Sequence, residues 1–523
     1  MQKGAFFACP PPRRSRHAAA SLKTDVRRSL AVAAVLVVLG SCTTTVGTLP
    51  AVTPESVVPS TAALVVATAT PVIRSGPERV VWRFTQTLLM PSNPNVYANV
   101  LLDIEPLAGS GWVVVQDRAP SRRLPRTGGA SGGPFIPARG TVLRLDASGA
   151  IAARQPDDAF TPTHIILFEQ PGVVVAEGSG TRGLDLRTLD TLWSSDAECV
   201  AVGERCYAYR PQVLPPPGAL EEREPRTFAV TRPFAQVQIG QLTTPMVLPD
   251  RNLAIVRSSA PDRSFDFFAL DPSAPITLPW IDQLKRAKSI ALLAADRMLV
   301  SYEGWNLGRL PKSELVDVGS GRVISSFDWL PVFTNRSVTF LQGQSPLQVL
   351  DARDASTGPL LPALPLYVSL ENGIIVVPLG NGGAGVLRRE AAYGREYEIT
   401  INKVAEGSCG TIDFARVQLA DGTADCPGLA ASAGARRILV SIGRERDSDR
   451  FEITRISVDE AARRLTISVR VGEVRSNGPA QAAPTQVIEL PADIRGEWLV
   501  GLEPEPAMPR PFGFVTAFAI DVR

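Results

Sequence analysis

The sequence predicts an all-β chain: a tethered β-propeller of about seven blades, followed by a small antiparallel β domain. Three observations carry this. Short apolar runs alternate with turn residues along the chain, with 45 prolines and 42 glycines spread among them. Many short strands joined by tight turns require that composition. An apolar strand ending in an aspartate returns at intervals near 40 residues, the period of four-stranded blades. Beyond about residue 396 the period stops while the strand pattern continues.

Residues 1–41 read as an export signal. Arg27 and Arg28 precede an apolar run over 30–39, which ends in Leu39-Gly40-Ser41-Cys42. A charged start, a short apolar stretch and small residues before a cut describe a secretory signal. The run is too short to cross a bilayer, which takes about 20 residues. Leu39-Gly40-Ser41-Cys42 resembles the lipobox of bacterial lipoproteins. The resemblance implies that Cys42 is diacylated, becomes the mature N-terminus and anchors the chain to the extracytoplasmic face of a membrane. Each buried methylene of an acyl chain contributes about 0.8 kcal/mol, so several chains hold firmly where one does not. The stretch before Arg27 is long for a signal; a start at Val26 gives an ordinary length. Residues 42–77, rich in Thr, Pro, Val and Ala with almost no charge, read as a flexible tether.

Residues 78–395 carry the repeat. The marked aspartates are Asp146, Asp185, Asp271, Asp317 and Asp351, spaced by 39, 86, 46 and 34 residues. The gap of 86 is two repeats, with Phe228-Ala229-Val230-Thr231 read as the missing phrase. Strand-turn-strand hairpins precede the aspartate phrases at 164–180, 246–259 and 289–304. Another at 367–380 turns at Asn372-Gly373, a favoured hairpin pair. Seven units result: 110–155, 163–194, 197–236, 244–281, 288–327, 332–360 and 366–395. Residues 80–84 read as a closing strand for the last blade. The Leu-Asp phrase followed by Ser/Thr and Gly resembles the pyrroloquinoline-quinone-like and WD-type propeller repeats. Trp193, Trp280 and Trp329 sit near comparable strand ends. The resemblance brings no cofactor ligands with it.

Residues 396–523 read as a separate small β domain. The portion 437–491 resembles the PrcB C-terminal family, a module of exported bacterial proteins named for a subunit of a surface protease complex. The matching residues are Ile438-Leu439-Val440-Ser441-Ile442-Gly443, Phe451-Glu452-Ile453, Leu465-Thr466-Ile467-Ser468-Val469 and Thr485-Gln486-Val487-Ile488-Glu489-Leu490-Pro491. Where that family has Thr-Gly-Gly-Tyr, this chain has Ser448-Asp449-Arg450-Phe451, so the paired glycines are lost.

The chemistry available is narrow. Six cysteines occur. Cys9 leaves with the signal, Cys42 takes the lipid, and Cys199 with Cys206 and Cys409 with Cys426 form two local pairs. Disulfides at these pairs agree with an oxidising compartment, and no C-x2-C spacing suggests zinc. One histidine remains after the signal, His164. It reads as structural, and no G-x-S-x-G elbow accompanies it. Two near pairs of carboxylates, Asp351 with Asp354 and Asp447 with Asp449, could serve a glycosidase only if a cleft brought them onto a sugar. Their commoner role is to cap turns. Gly380-Asn381-Gly382-Gly383-Ala384-Gly385 lacks the lysine and helix of a phosphate loop, and 126–133 reads as an inserted loop. Residues 1–41 hold seven of the 54 Lys/Arg and one of the 52 Asp/Glu. The mature chain is therefore slightly acidic and shows no nucleic-acid-binding patch. The expectation is a non-catalytic scaffold at the cell envelope, free of cofactors and metals, with a protein or glycan partner. The alternative is a carboxylate-dependent glycan-active enzyme.

Overall fold

A computed structural model describes residues 76–523 apart from 90–100, 110, 118–139, 157–158, 211–217, 240–243, 259, 261–262, 295, 304–311, 328–330, 335–337, 342–346, 352, 381, 410–414, 422–425, 427, 430–433, 435, 443–450, 472–482 and 505–516. Cys42, the signal, nearly all of the tether, the 126–133 loop, Trp329 and the Asp447–Asp449 pair lie outside the described residues.

The chain is all-β. Between 78 and 393 the described residues form seven small antiparallel sheets, most of them strand-after-strand meanders. Sheet 1 holds Leu101–Pro106, Trp112–Asp117, Gly140–Leu145 and Ile151–Arg154; sheet 2 holds Pro162–Phe168, Val173–Gly178, Thr181–Asp185 and Thr191–Ser195. Sheet 3 holds Glu198–Val202, Arg205–Tyr209, Gly218–Arg223 and Val230–Ile239; sheet 4 holds Met246–Leu248, Leu253–Arg257 and Phe265–Ala269. Sheet 5 holds Ser289–Ala294, Arg297–Ser301, Ser313–Asp317 and Val323–Phe327. Sheet 6 holds Pro331–Thr334, Val338–Leu341, Leu347–Asp351 and Thr357–Leu361. Sheet 7 joins Tyr367–Ser369, Ile374–Pro378 and Ala384–Tyr393 to the early strand Glu78–Leu88, which pairs with Ala384–Tyr393 from Glu78↔Tyr393 to Leu88↔Ala384.

Packing explains the continuous apolar runs. Successive side chains of a strand point to opposite faces. In sheet 1, Val113 and Val115 pack toward sheet 2, while Trp112 and Val114 pack toward sheet 7. In sheet 2, Val174 and Ala176 face sheet 1, and Val173 and Val175 face sheet 3. In sheet 4, Ala254 and Val256 face sheet 3, and Leu253 and Ile255 face sheet 5. A strand covered on both faces needs apolar residues at every position, so alternation gives way to runs. Core clusters join each sheet to the next, and another joins sheet 7 back to sheet 1 through Leu88, Val376, Val386, Ile104 and Trp112.

One turn recurs. An acidic residue at its start receives backbone N–H groups from the residues that follow. Asp185 Oδ1 accepts from Arg187 and Thr188 at 2.9 and 3.2 Å, and Asp317 Oδ1 from Ser320 at 2.8 Å. Asp146, Asp271 and Asp351 do likewise. The missing member of the series is Glu224, whose carboxylate takes the N–H groups of Arg226 and Thr227. Phe228-Ala229-Val230-Thr231 is therefore not the missing strand end; it closes the turn and starts the outer strand. In four of these turns the fifth residue donates its N–H to the first residue's carbonyl at 2.8 Å: Leu189, Phe228, Gly321 and Ala355. All four have positive φ, from 57° to 74°. A left-handed conformation costs an L-residue about 1–2 kcal/mol. Burial of Leu189 and stacking of Phe228 on Trp193 offset that cost. Ala355 has less compensation. Ala355→Gly is expected to raise stability by about 0.5 kcal/mol, because relief of strain outweighs the extra chain entropy of glycine. A lowered denaturation midpoint would refute this.

The C-terminal region has two sheets. One orders Glu396–Glu398, Phe451–Asp459, Arg464–Val471, Gly496–Pro504 and Ala517–Val522, with the third and fourth strands parallel. The other orders Lys403–Cys409, Ala483–Glu489, Arg437–Ile442 and Ala415–Leu419. A shared core including Ile438, Val440, Ile456, Ile467 and Phe518 lies between them. This region is fixed to the repeat. Leu499, Ala517 and Ala519 enter the core of sheets 6 and 7. Phe84 N–H donates to Ala462 O at 2.9 Å, Gly380 N–H to Ala517 O at 2.7 Å, and Arg464 to Leu360 O at 3.1 Å. Arg79 bonds both Glu396 and Asp459.

Candidate functional site

The residues with chemical capacity gather along the first two strands of sheets 1 to 3. Asp103 lies in the first strand of sheet 1 and His164 in the first strand of sheet 2. His164 Nδ1 stands 2.5 Å from Asp103 Oδ2. The same oxygen accepts the Ile165 N–H at 2.9 Å, and the other oxygen accepts Ile104 N–H at 3.0 Å. Asp103 is buried. Burial alone would raise its carboxyl, but the His164 ring and the backbone donors outweigh burial and hold it below the ordinary carboxylate value.

The arrangement repeats one sheet further on. Glu177, opposite His164 in the ladder, accepts the Cys199 N–H of sheet 3 at 2.7 Å. Glu198, opposite Tyr209, accepts a hydrogen bond from the Tyr209 hydroxyl at 2.6 Å, and Tyr209 also reaches Thr244 Oγ1 at 3.1 Å. Burial and Glu198 push the Tyr209 phenol well above its usual value. First strands are sheet edges, and their outward N–H groups need acceptors. In two places here a carboxylate of the preceding sheet supplies one. This polar seam binds sheet to sheet.

The sequence did not single out Asp103, Glu177 or Glu224. A charged residue inside an apolar run, as in Leu101-Leu102-Asp103-Ile104, is the signal that could have found the first. His164 is engaged with the buried Asp103.

The other candidates resolve into turns and packing. Asp351 is buried and clamped by the Arg353 side chain at 2.6 and 3.0 Å, and Asp354 caps the Ser356 N–H at 2.8 Å. Both carboxylates serve one turn. Gly380 lies against the Phe518 ring, where a Cβ would come within 2.4 Å of a ring carbon, and a Cβ on Gly383 would meet Leu88 O at 2.2 Å. The glycine-rich stretch therefore serves close packing. Trp193 and Trp280 each lie on a glycine, Gly183 and Gly321, and donate their indole N–H to Pro225 O and Val318 O at 2.9 Å. Both bonds reach a neighbouring sheet.

Cys199 is bonded to Cys206 across the first hairpin of sheet 3, and Cys409 to Cys426, with Cα separations of 5.6 and 4.3 Å. All four are buried. Thiol labelling of the unreduced mature protein is expected to modify none of them; four labelled thiols would remove both bonds. Among the described residues, no group of three His, Cys, Asp or Glu is placed to hold a metal ion, and no helix is long and apolar enough to cross a membrane.

No protein-family model matches the chain, and no curated protein matches it. Among solved structures it is similar to the AfRom2 CNH domain, at 10% identity and a TM-score of 0.35 over 60% of this chain and 99% of that one. It is also similar to the computationally designed Ika8 protein, at 10% identity and a TM-score of 0.32 over 78% and 100%. Likenesses at this level leave both fold and activity to the residues themselves.

Proposed function

We propose that the protein is an exported lipoprotein, held to a membrane through Cys42, whose seven sheets are the blades of a β-propeller that works as a non-catalytic binding scaffold. The ring reading is supported by the early strand Glu78–Leu88 on sheet 7 and by the shared core of sheets 7 and 1. The C-terminal region, proposed as a PrcB-like module, is fixed to the same body. One observation favours a scaffold over the glycan-active alternative. The candidate carboxylates Asp351 and Asp354 and the His164–Asp103 pair are already engaged in turn and inter-sheet bonds. A glycosidase needs carboxylates facing its sugar instead. The partner is a protein or glycan of the envelope, met by surface complementarity. Two buried disulfides accord with an oxidising compartment.

Cys42→Ala is expected to move the protein from the membrane fraction to the soluble one, because the acyl chains alone supply the anchor. Membrane retention of the variant would end the lipoprotein reading. Turnover of an envelope glycan by the purified protein would end the scaffold reading.

A further inference from the structure

Sheet 4 departs from the other six. Among the described residues it has three strands where each of the others has four. The sequence supplies the cause. After Phe265–Ala269 the chain reads Leu270-Asp271-Pro272-Ser273-Ala274-Pro275-Ile276-Thr277-Leu278-Pro279-Trp280. Three prolines in eight residues remove three ladder donors. The chain instead crosses the end of the sheet, where Thr277 N–H donates to Arg251 O at 3.1 Å and Asn252 Nδ2 binds Asp271 O and Ala274 O.

The orientation of the exposed edge follows from the ladder. Phe265–Ala269 pairs with Leu253–Arg257 in the register Leu253↔Ala269 to Arg257↔Phe265. Leu270 N–H donates to Asn252 O, and Ser258 N–H to Ser264 O, at 3.2 and 3.0 Å. Residues 264, 266, 268 and 270 therefore bond inward, since hydrogen-bonded pairs alternate in an antiparallel ladder. Phe265, Phe267 and Ala269 direct their N–H and C=O groups away from the sheet. Gln236 of sheet 3 takes Ala269 O at 2.9 Å and closes that end. The remaining outward backbone groups of Phe265, Phe267 and Ala269 have no partner among the described residues. In the six other sheets a fourth strand lies on the corresponding edge.

We propose that this edge binds a partner polypeptide, which adds an extended segment of about five residues as the antiparallel fourth strand of sheet 4. The proposal rests on the scaffold reading and names its partner class: a peptide strand, not a glycan. The six resident fourth strands define what fits. Four of them are only four or five residues long, and each of the six carries one large solvent-facing apolar residue: Val80, Ile151, Leu192, Val230, Val323 and Leu360. Backbone bonding supplies affinity in this mode, and alternate side chains supply selectivity. Residues opposite Phe265 and Phe267 share the face of those two rings, so apolar or β-branched side chains suit those positions.

The test uses the full mature protein and labelled synthetic peptides copying residues 150–155, 190–196 and 322–328 from three resident fourth strands. Amide exchange in the free protein should be fast at Phe265, Phe267 and Ala269 and slow at Asp266 and Phe268. Saturating peptide should slow exchange at Phe267 and Ala269 at least tenfold. Ala269→Pro removes one outward donor and no ladder bond, so it should fold as before and bind at least tenfold more weakly. Binding of no peptide, or equal binding by the Ala269→Pro variant, overturns the proposal. Protection of Phe267 and Ala269 in the free protein overturns it too, because the edge would then be filled by this chain or a second copy. None of these results bears on glycan turnover or on Cys42, so the scaffold reading stands or falls separately.

Discussion

Asp103→Ala is expected to lower the folding stability of the protein by about 3–5 kcal/mol, the range found when one partner of a buried pair is removed. Three groups lose their acceptor at once: the His164 ring, the Ile165 N–H of sheet 2 and the Ile104 N–H. Water is a poor substitute, since Asp103 is 2% exposed. Asp103→Asn keeps one carbonyl oxygen in place and should lose less than half as much. Acid provides an independent route to the same bonds. The folded carboxyl titrates below its ordinary value, so its stabilisation is complete above the unfolded value near 4 and is lost as pH falls through the folded value. Wild type should thus weaken more steeply in acid than Asp103→Asn. Urea denaturation of both variants, followed from neutral to acid pH, measures this. A loss under 1 kcal/mol for Asp103→Ala, with acid slopes equal to wild type, would reduce the pair to a surface contact.

The same residue shows where the sequence was legible and where it was not. Most repeat units could be read because doubly covered strands make continuous apolar runs and because the turn acid returns in six of the seven sheets. Glu224 escaped because a longer carboxylate does the work of the aspartates, and a pattern built on Leu-Asp passes over it. The strand Leu101–Pro106 escaped because Asp103 interrupts its apolar run. That aspartate is also the partner that explains His164. Sheet 4 was expected to have four strands although Pro272, Pro275 and Pro279 forbid the last. Propensity in its neighbours suggested regularity, while the missing donors decided the outcome locally. Gly496–Pro504 escaped for a different reason. Its sheet neighbours are the antiparallel Ala517–Val522 and the parallel Arg464–Val471, the latter reached only after the chain visits the other sheet. Pairing of that kind leaves no hairpin signature in the sequence. The polar seam belongs to the same class, because bonds between sheets join residues from 22 to 62 positions apart.

The attachment of the C-terminal region to sheet 7 rests on one aromatic contact more than on its ion pairs. Arg79, Glu396 and Asp459 are partly exposed, and such pairs typically contribute 0–1 kcal/mol. Phe518 is 1% exposed, belongs to the core of the C-terminal sheets and lies against Gly380 of the repeat. Phe518→Ala is expected to cost about 3–5 kcal/mol through lost burial and the cavity left behind. Gly380→Val reaches the contact from the other side. Its Cβ would stand 2.4 Å from the ring, and the ring is hemmed in by its own core, so overpacking should cost about 1–3 kcal/mol. Because residues in contact do not act independently, the double variant should recover part of the sum. The small ring-free side chain of Phe518→Ala leaves room for the valine. Additive losses, or a Phe518→Ala cost no larger than that of Arg79→Ala, would show that the two regions are held by charge rather than by this packing. Recovery in the double variant would place the joint at Gly380 and give the glycine-rich stretch its physical reason.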